Sequence, residues 1–166
     1  MPNHLSNLGI FHTVISILAL IFGVAALIRE GKIDPRSGTG KWYIVLTILT
    51  CLTSFGIMKT GHFTPAHGLS VLVLLLLPLG IYAGSIGFFG TAGPKIGVAT
   101  MSATLFFSFI PAITETLTRL PISHPIAGDP NAPAVKMSLL VLLVLFAVGL
   151  VLQLRRIGKG SPTAVN

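Results

Sequence analysis

Charge is what this chain has least of. Only 9% of its 166 residues are Asp, Glu, Lys or Arg, and just four of those are acidic. A soluble domain carries about a quarter charged residues, so an ordinary water-facing surface is excluded. Cysteine is almost missing too: Cys51 stands alone inside an apolar run, which rules out an intrachain disulfide and any zinc site built from cysteines. A thiol in such surroundings is an inert small side chain. There is no His-Glu-x-x-His helix, and Asp129 has no nucleophile motif near it, so neither that class of zinc hydrolase nor a Ser-His-Asp hydrolase is supported. No internal or inverted repeat and no second domain can be traced, and with them goes the usual substrate path of a secondary transporter.

What is present is hydrophobic sequence, 52% of the chain, broken into five long runs. Residues 8–28, 42–58, 66–89, 96–118 and 137–154 each approach the ~20 residues that cross a bilayer. They predict an all-α integral membrane protein, a single domain of five transmembrane helices; the alternative is a four-span protein with one run re-entrant. No Lys or Arg precedes the first run and no small-residue cleavage site follows it, so it is expected to be a retained span and not a removable signal. Trp42 and Tyr43 open the second span as an interfacial anchor. Thr64-Pro65 starts the third, a hydroxyl cap followed by a residue whose missing N–H costs nothing there. Pro78 predicts a kink near residues 74–78. Gly90 to Lys95 is a hinge, and the connector 119–136, with Pro121, Pro125, Pro130 and Pro133, is expected to be stiff and extended. Residues 155–166 form a short basic tail, its end expected to be disordered.

Eleven Lys and Arg against four acids give a net charge of +7. Because the cations lie at the ends of apolar spans, they read as orientation signals and not as a nucleic-acid surface. With the N-terminus outside, Arg29, Lys32, Arg36, Lys41, Lys95, Arg155, Arg156 and Lys159 fall inside, while only Lys59, Arg119 and Lys136 fall outside. Positive residues favour the cytoplasmic face, so the predicted topology is N-out, C-in, with the tail in the cytoplasm.

That orientation gathers His4, His12, His62, His67 and His124 at the outer face. His12 shares a stripe with Ser16, Ala19, Gly23 and Ala26, small residues that let helices approach closely in lipid, so it is expected to face the bundle. Gly97, Met101, Thr104, Ser108, Pro111 and Glu115 form the equivalent stripe on the fourth span and bring Glu115 to the packed face. Thr47, Thr50, Ser54 and Met58 line the second span. The third carries Gly80, Ala83, Gly84 and Gly87, whose Gly80-x-x-x-Gly84 reads as internal packing ahead of dimerisation. His12 and His67 lie near the positive ends of their helix dipoles, which disfavour imidazolium. An outer layer of two imidazoles, Glu115 and Arg119 follows. Intramembrane ionisable residues are functional candidates, although cross-helix hydrogen bonds and an i, i+4 ion pair account for the same residues structurally. His4 and His124 read as loop residues.

The run from His12 to Leu20 with Gly23, then Gly40-Lys41-Trp42-Tyr43, then Phe63-Thr64-Pro65-Ala66-His67-Gly68-Leu69-Ser70 resembles an uncharacterised bacterial family of small predicted membrane proteins. Its members show His near the start of one span, a His-Arg-x-x-Gly turn before the next, and His at the start of the following one. The resemblance covers about the first half of the chain and implies a bacterial inner (plasma) membrane location. His12 and His67 match the outer pair. The inner pair is unmatched, since Lys41 stands in the basic turn and no histidine lies near Lys95, so the resemblance implies an outer site alone.

Three functions are expected from these residues. The first is electron transfer by a b-type haem held by His12 and His67, with Arg119 on a propionate. The second is Zn or Cu bound by His12, His67 and Glu115, assisted by His62 or His124. The third is a non-catalytic accessory or assembly subunit, or a homo-oligomer, whose polar layer fixes packing. The partners expected are the lipid bilayer and a membrane protein or a second copy, and no nucleic acid.

Overall fold

The computed structural model describes residues 6–57 and 63–159, and the side chains of all of these except 158 and 159. They form five α-helices, α1 (Asn7–Glu30), α2 (Gly38–Ser54), α3 (Pro65–Tyr82), α4 (Gly93–Arg119) and α5 (Pro133–Lys159), with no strand among the described residues. Four segments are long and apolar enough to cross a membrane: α1, α3 with its 3-10 extension, α4 with the turn before it, and α5. This is consistent with a multi-pass helical membrane protein. α2, at 17 residues, is the shortest helix.

Local chemistry sets the helix ends. Ser6 caps α1 by accepting from the Gly9 amide at 3.1 Å, and Gly31 closes it in the left-handed conformation (φ 72°), which glycine adopts without a Cβ penalty. Asp34 then builds the turn into α2. Its Oδ1 accepts from the Arg36 amide at 2.9 Å, its carbonyl accepts from Ser37 N–H at 3.1 Å, and Ser37 caps Gly40 at 3.0 Å. Gly40 is required there because a Cβ would collide with the Asp34 carbonyl. Proline stands in the first turn of α3, α4 and α5, where the missing N–H is no loss.

Several boundaries differ from the pattern of apolar runs. The third run ends as α-helix at Tyr82 and continues as two short 3-10 turns, Ala83–Ser85 and Gly87–Ala92, with Gly90 at φ 47°. The glycines from 80 to 93 make this stretch a poor α-helix. The helix runs through Pro78 without interruption and passes to 3-10 geometry only at Ala83. The proline-rich connector, expected to be extended, folds back instead. Ala127 N–H reaches the Leu117 carbonyl at 2.9 Å and Ile126 N–H reaches Leu120 at 3.1 Å, satisfying carbonyls that the end of α4 leaves free. α5 starts four residues earlier than its apolar run and absorbs residues 155–159 of the expected tail. Residues 160–166 lie outside the described residues.

α1 and α2 pack antiparallel along their whole length, α3 packs on α2 and α4, and α5 packs on α4 alone. At the centre, Tyr43 is fully buried and its ring lies against Gly23, where a Cβ would stand about 3.0 Å from the ring carbons. Thr104 donates to the Met101 carbonyl at 2.7 Å, so its oxygen is left to accept from the Tyr43 hydroxyl at 2.8 Å. One phenol therefore fixes α2 against α4. Ser102 donates to Gln153 at 2.7 Å and does the same for α4 and α5.

Candidate functional site

The polar side chains near the start of α1 and the end of α2 make one connected layer. Thr53, on the last turn of α2, has a single hydroxyl hydrogen, directed at the Leu49 and Thr50 carbonyls at 2.9 and 3.0 Å. Its oxygen can therefore only accept from the His12 ring, whose Nδ1 lies 2.9 Å away. That assigns the proton of His12 to Nδ1 and leaves the lone pair on Nε2. One turn further along α1, Ser16 donates to the His12 carbonyl at 2.6 Å and lies 3.5 Å from the Thr50 hydroxyl. Ser54 continues the layer to α3, donating to Ser70 at 2.8 Å.

His67 occupies the third position of α3 and is 3% exposed. Its Nδ1 accepts from the Thr64 backbone amide at 3.0 Å and stands 2.8 Å from the Thr64 hydroxyl, the reach-back half of a capping box with an imidazole in place of the usual Glu or Gln. An amide can only donate, so His67 carries its proton on Nε2. The ring stacks on Phe55, the residue after α2, with centroids 6.1 Å apart, and meets Phe63 at a tilt with centroids 5.1 Å apart. His67 is thus a helix cap set in an aromatic cluster.

The structure does not gather the expected site residues into one ligand set. No group of three or more His, Cys, Asp or Glu side chains placed to hold a metal occurs among the described residues. Glu115 and Arg119 form an i, i+4 ion pair near the end of α4. The Glu115 side chain is 55% exposed, so the stripe that is buried at Gly97, Met101 and Thr104 opens to the surface by the time it reaches Glu115. A pair this exposed contributes roughly 0–1 kcal/mol. His124 is exposed in the connector that follows α4. His4 and His62 lie outside the described residues.

The two histidines differ in what they can bind. A metal or haem iron takes a lone pair of a neutral imidazole, while the other ring nitrogen donates to a fixing group. His12 has that arrangement, with Nδ1–H held by Thr53 and no hydrogen-bond partner for Nε2 among the described residues. His67 has the reverse one: its Nδ1 lone pair is used by the cap and its Nε2 bears the proton. Ligation through Nε2 would move the proton to Nδ1, against the Thr64 amide, and break the cap. Thr53 and Phe55, the residues that define both environments, carry no signal in the sequence beyond lying at the end of an apolar run.

No protein-family model, curated protein or solved structure matches the chain.

Proposed function

We propose that the protein is a five-span membrane protein of the bacterial inner membrane, N-terminus outside and C-terminus in the cytoplasm, serving as a non-catalytic accessory or assembly subunit. Five spans require α2 to cross. In support, α2 lies beside α1 from end to end: Thr39 donates to Glu30 at one extreme, Trp42 stacks on Phe22, Thr53 meets His12, and a Cβ on Gly56 would touch Leu8 at the other. The excess of cations at the α1–α2, α3–α4 and α5 ends supports the orientation.

The observation that carries the accessory role is the engagement of the polar layer. His12, Thr53, Ser54 and Ser70 make helix-to-helix hydrogen bonds, and His67 caps α3. Such bonds fix one arrangement of helices in lipid, where apolar contact alone discriminates little. The deciding experiment is native electrophoresis of gently solubilised membranes, combined with the absorbance spectrum and metal content of the purified chain. A subunit migrates in an assembly larger than the monomer and carries no Soret band and less than about a tenth of an equivalent of transition metal. A monomeric, haem-loaded chain ends this reading.

A second reading, b-type haem or Zn or Cu, is favoured by one specific feature, the Nε2 lone pair that the Thr53 bond leaves to His12. In that reading His12 is the ligand from this chain and the second axial or metal ligand comes from outside the His67 cap. A Soret band lost in His12→Ala but kept in His67→Ala is its signature; loss in both variants restores the paired-histidine site, and loss in neither removes histidine ligation altogether.

A further inference from the structure

The small residues of α1, Ala19, Gly23 and Ala26, are buried toward the bundle. Its opposite face leaves a groove of about 470 Å³ against α4, walled by Ile17, Leu20, Ile21, Val24 and Ile28 and floored by Phe109. The groove has no polar lining. A partner helix in lipid docks through small residues that allow backbones to approach. Here the wall is branched and bulky, the surface suited to a flexible hydrocarbon chain. From Ile17 to Ile28 the groove runs about 16 Å at 1.5 Å per residue, about the thickness of one leaflet of a ~30 Å hydrocarbon core.

Two guanidiniums stand at the Ile28 end. Arg29 lies one turn beyond Ala25, a groove residue, on the same face of α1. Arg156 reaches across from α5, its Nη1 so near the chain that a Cβ on Gly31 would stand 2.9 Å from it. Neither arginine has a carboxylate within ion-pair distance among the described residues. Planar guanidiniums are suited to bidentate recognition of a phosphate. We infer that this groove holds one acyl chain of an anionic phospholipid of the cytoplasmic leaflet, with its phosphate between Arg29 and Arg156. The assignment of the leaflet rests on the membrane orientation proposed above; the lipid site itself does not depend on it.

The test uses the full chain, delipidated in detergent and titrated with dioleoyl phosphatidylglycerol or dioleoyl phosphatidylcholine, with bound lipid counted by native mass spectrometry. The expected result is one phosphatidylglycerol per chain, retained about tenfold more tightly than phosphatidylcholine, the ratio that ~1.4 kcal/mol of charge-assisted bonding gives. The surface pair R29Q/R156Q should abolish that preference while leaving the thermal midpoint without lipid unchanged. Val24→Trp, which fills the groove, should reduce retention of both lipids, and Leu145→Trp on the exposed face of α5 should reduce neither. Equal retention of the two lipids by the parent, or a preference that survives R29Q/R156Q, overturns the site. Failure of the membrane reading is seen separately, as release of the protein from membranes by alkaline carbonate.

Discussion

His12 and His67 sit against the same end of α2, one on Thr53 of its last turn and the other on Phe55 just after it, and their Nδ1 atoms play opposite parts. His12 donates from Nδ1 to the Thr53 hydroxyl, whereas His67 accepts at Nδ1 from the Thr64 amide while its ring stacks on Phe55. The two imidazoles therefore present different faces to any ligand, a lone pair at one and an N–H at the other. They also lock α1 and α3 onto a common point of α2.

The His12–Thr53 bond predicts a measurable coupling. Thr53→Val removes the acceptor and should cost about 0.5–1.5 kcal/mol, as should His12→Ala. The double variant should cost less than the sum of the singles by on the order of 1 kcal/mol, measured by unfolding in detergent micelles. Strictly additive costs mean that the bond does not form.

His67 should behave as a cap. His67→Ala is expected to lower stability by about 1 kcal/mol. His67→Gln should recover much of that, because glutamine at the same position of a capping box makes the same reach back to the backbone amide. A His67→Gln variant as unstable as His67→Ala would move the weight from the cap to the stacking on Phe55 and Phe63.

Gly80 and Gly84 form a G-x-x-x-G pair, yet only one of them is in a contact that needs glycine. A Cβ on Gly80 would stand 2.6 Å from the sulfur of Met101, while one on Gly84 would meet nothing within 4 Å. Gly80→Val is expected to cost about 1–3 kcal/mol through overpacking against α4. Gly84→Val should be tolerated in the same unfolding assay, with no change in oligomeric state by size-exclusion chromatography. A change of oligomer in Gly84→Val would make the pair a dimerisation surface after all.

Asp34 gives the turn between α1 and α2 a pH dependence. The Arg36 amide, helped by Lys32 at 3.2 Å, holds its carboxyl below the ordinary aspartate value. A depressed folded-state pKa stabilises the fold above the unfolded value of roughly 3.9, and that contribution is lost as pH falls through the folded value. The thermal midpoint of the parent should therefore drop more steeply below about pH 4 than that of Asp34→Asn. Parallel curves for the two proteins would mean that the turn does not stabilise the fold.

Much of this architecture is legible in the residues themselves. The start at Thr64-Pro65 follows from capping chemistry and from where proline loses nothing, whereas α4 begins at Gly93, inside the stretch expected to be a hinge. The buried stripe of α1 follows from the small residues Ala19, Gly23 and Ala26 at helical spacing. Helical spacing does not place Glu115, whose side chain is 55% exposed. Its stripe is buried at Met101 and Thr104, but neighbouring helices no longer cover α4 at that level, and periodicity records which face a residue is on without recording how far cover extends.

The sequence by itself determined that the chain is a set of apolar helices and where α1 and α3 begin. Those are local or compositional properties, governed by caps and span length. Only the tertiary structure decided what the histidines do, because a ring nitrogen is assigned by its partner. The partners, Thr53 from 41 positions away and a stack on Phe55, are set by how α2 lies against α1 and α3. Phe109 of α4, which floors the groove on the outer face of α1, has the same origin, because it comes from another helix.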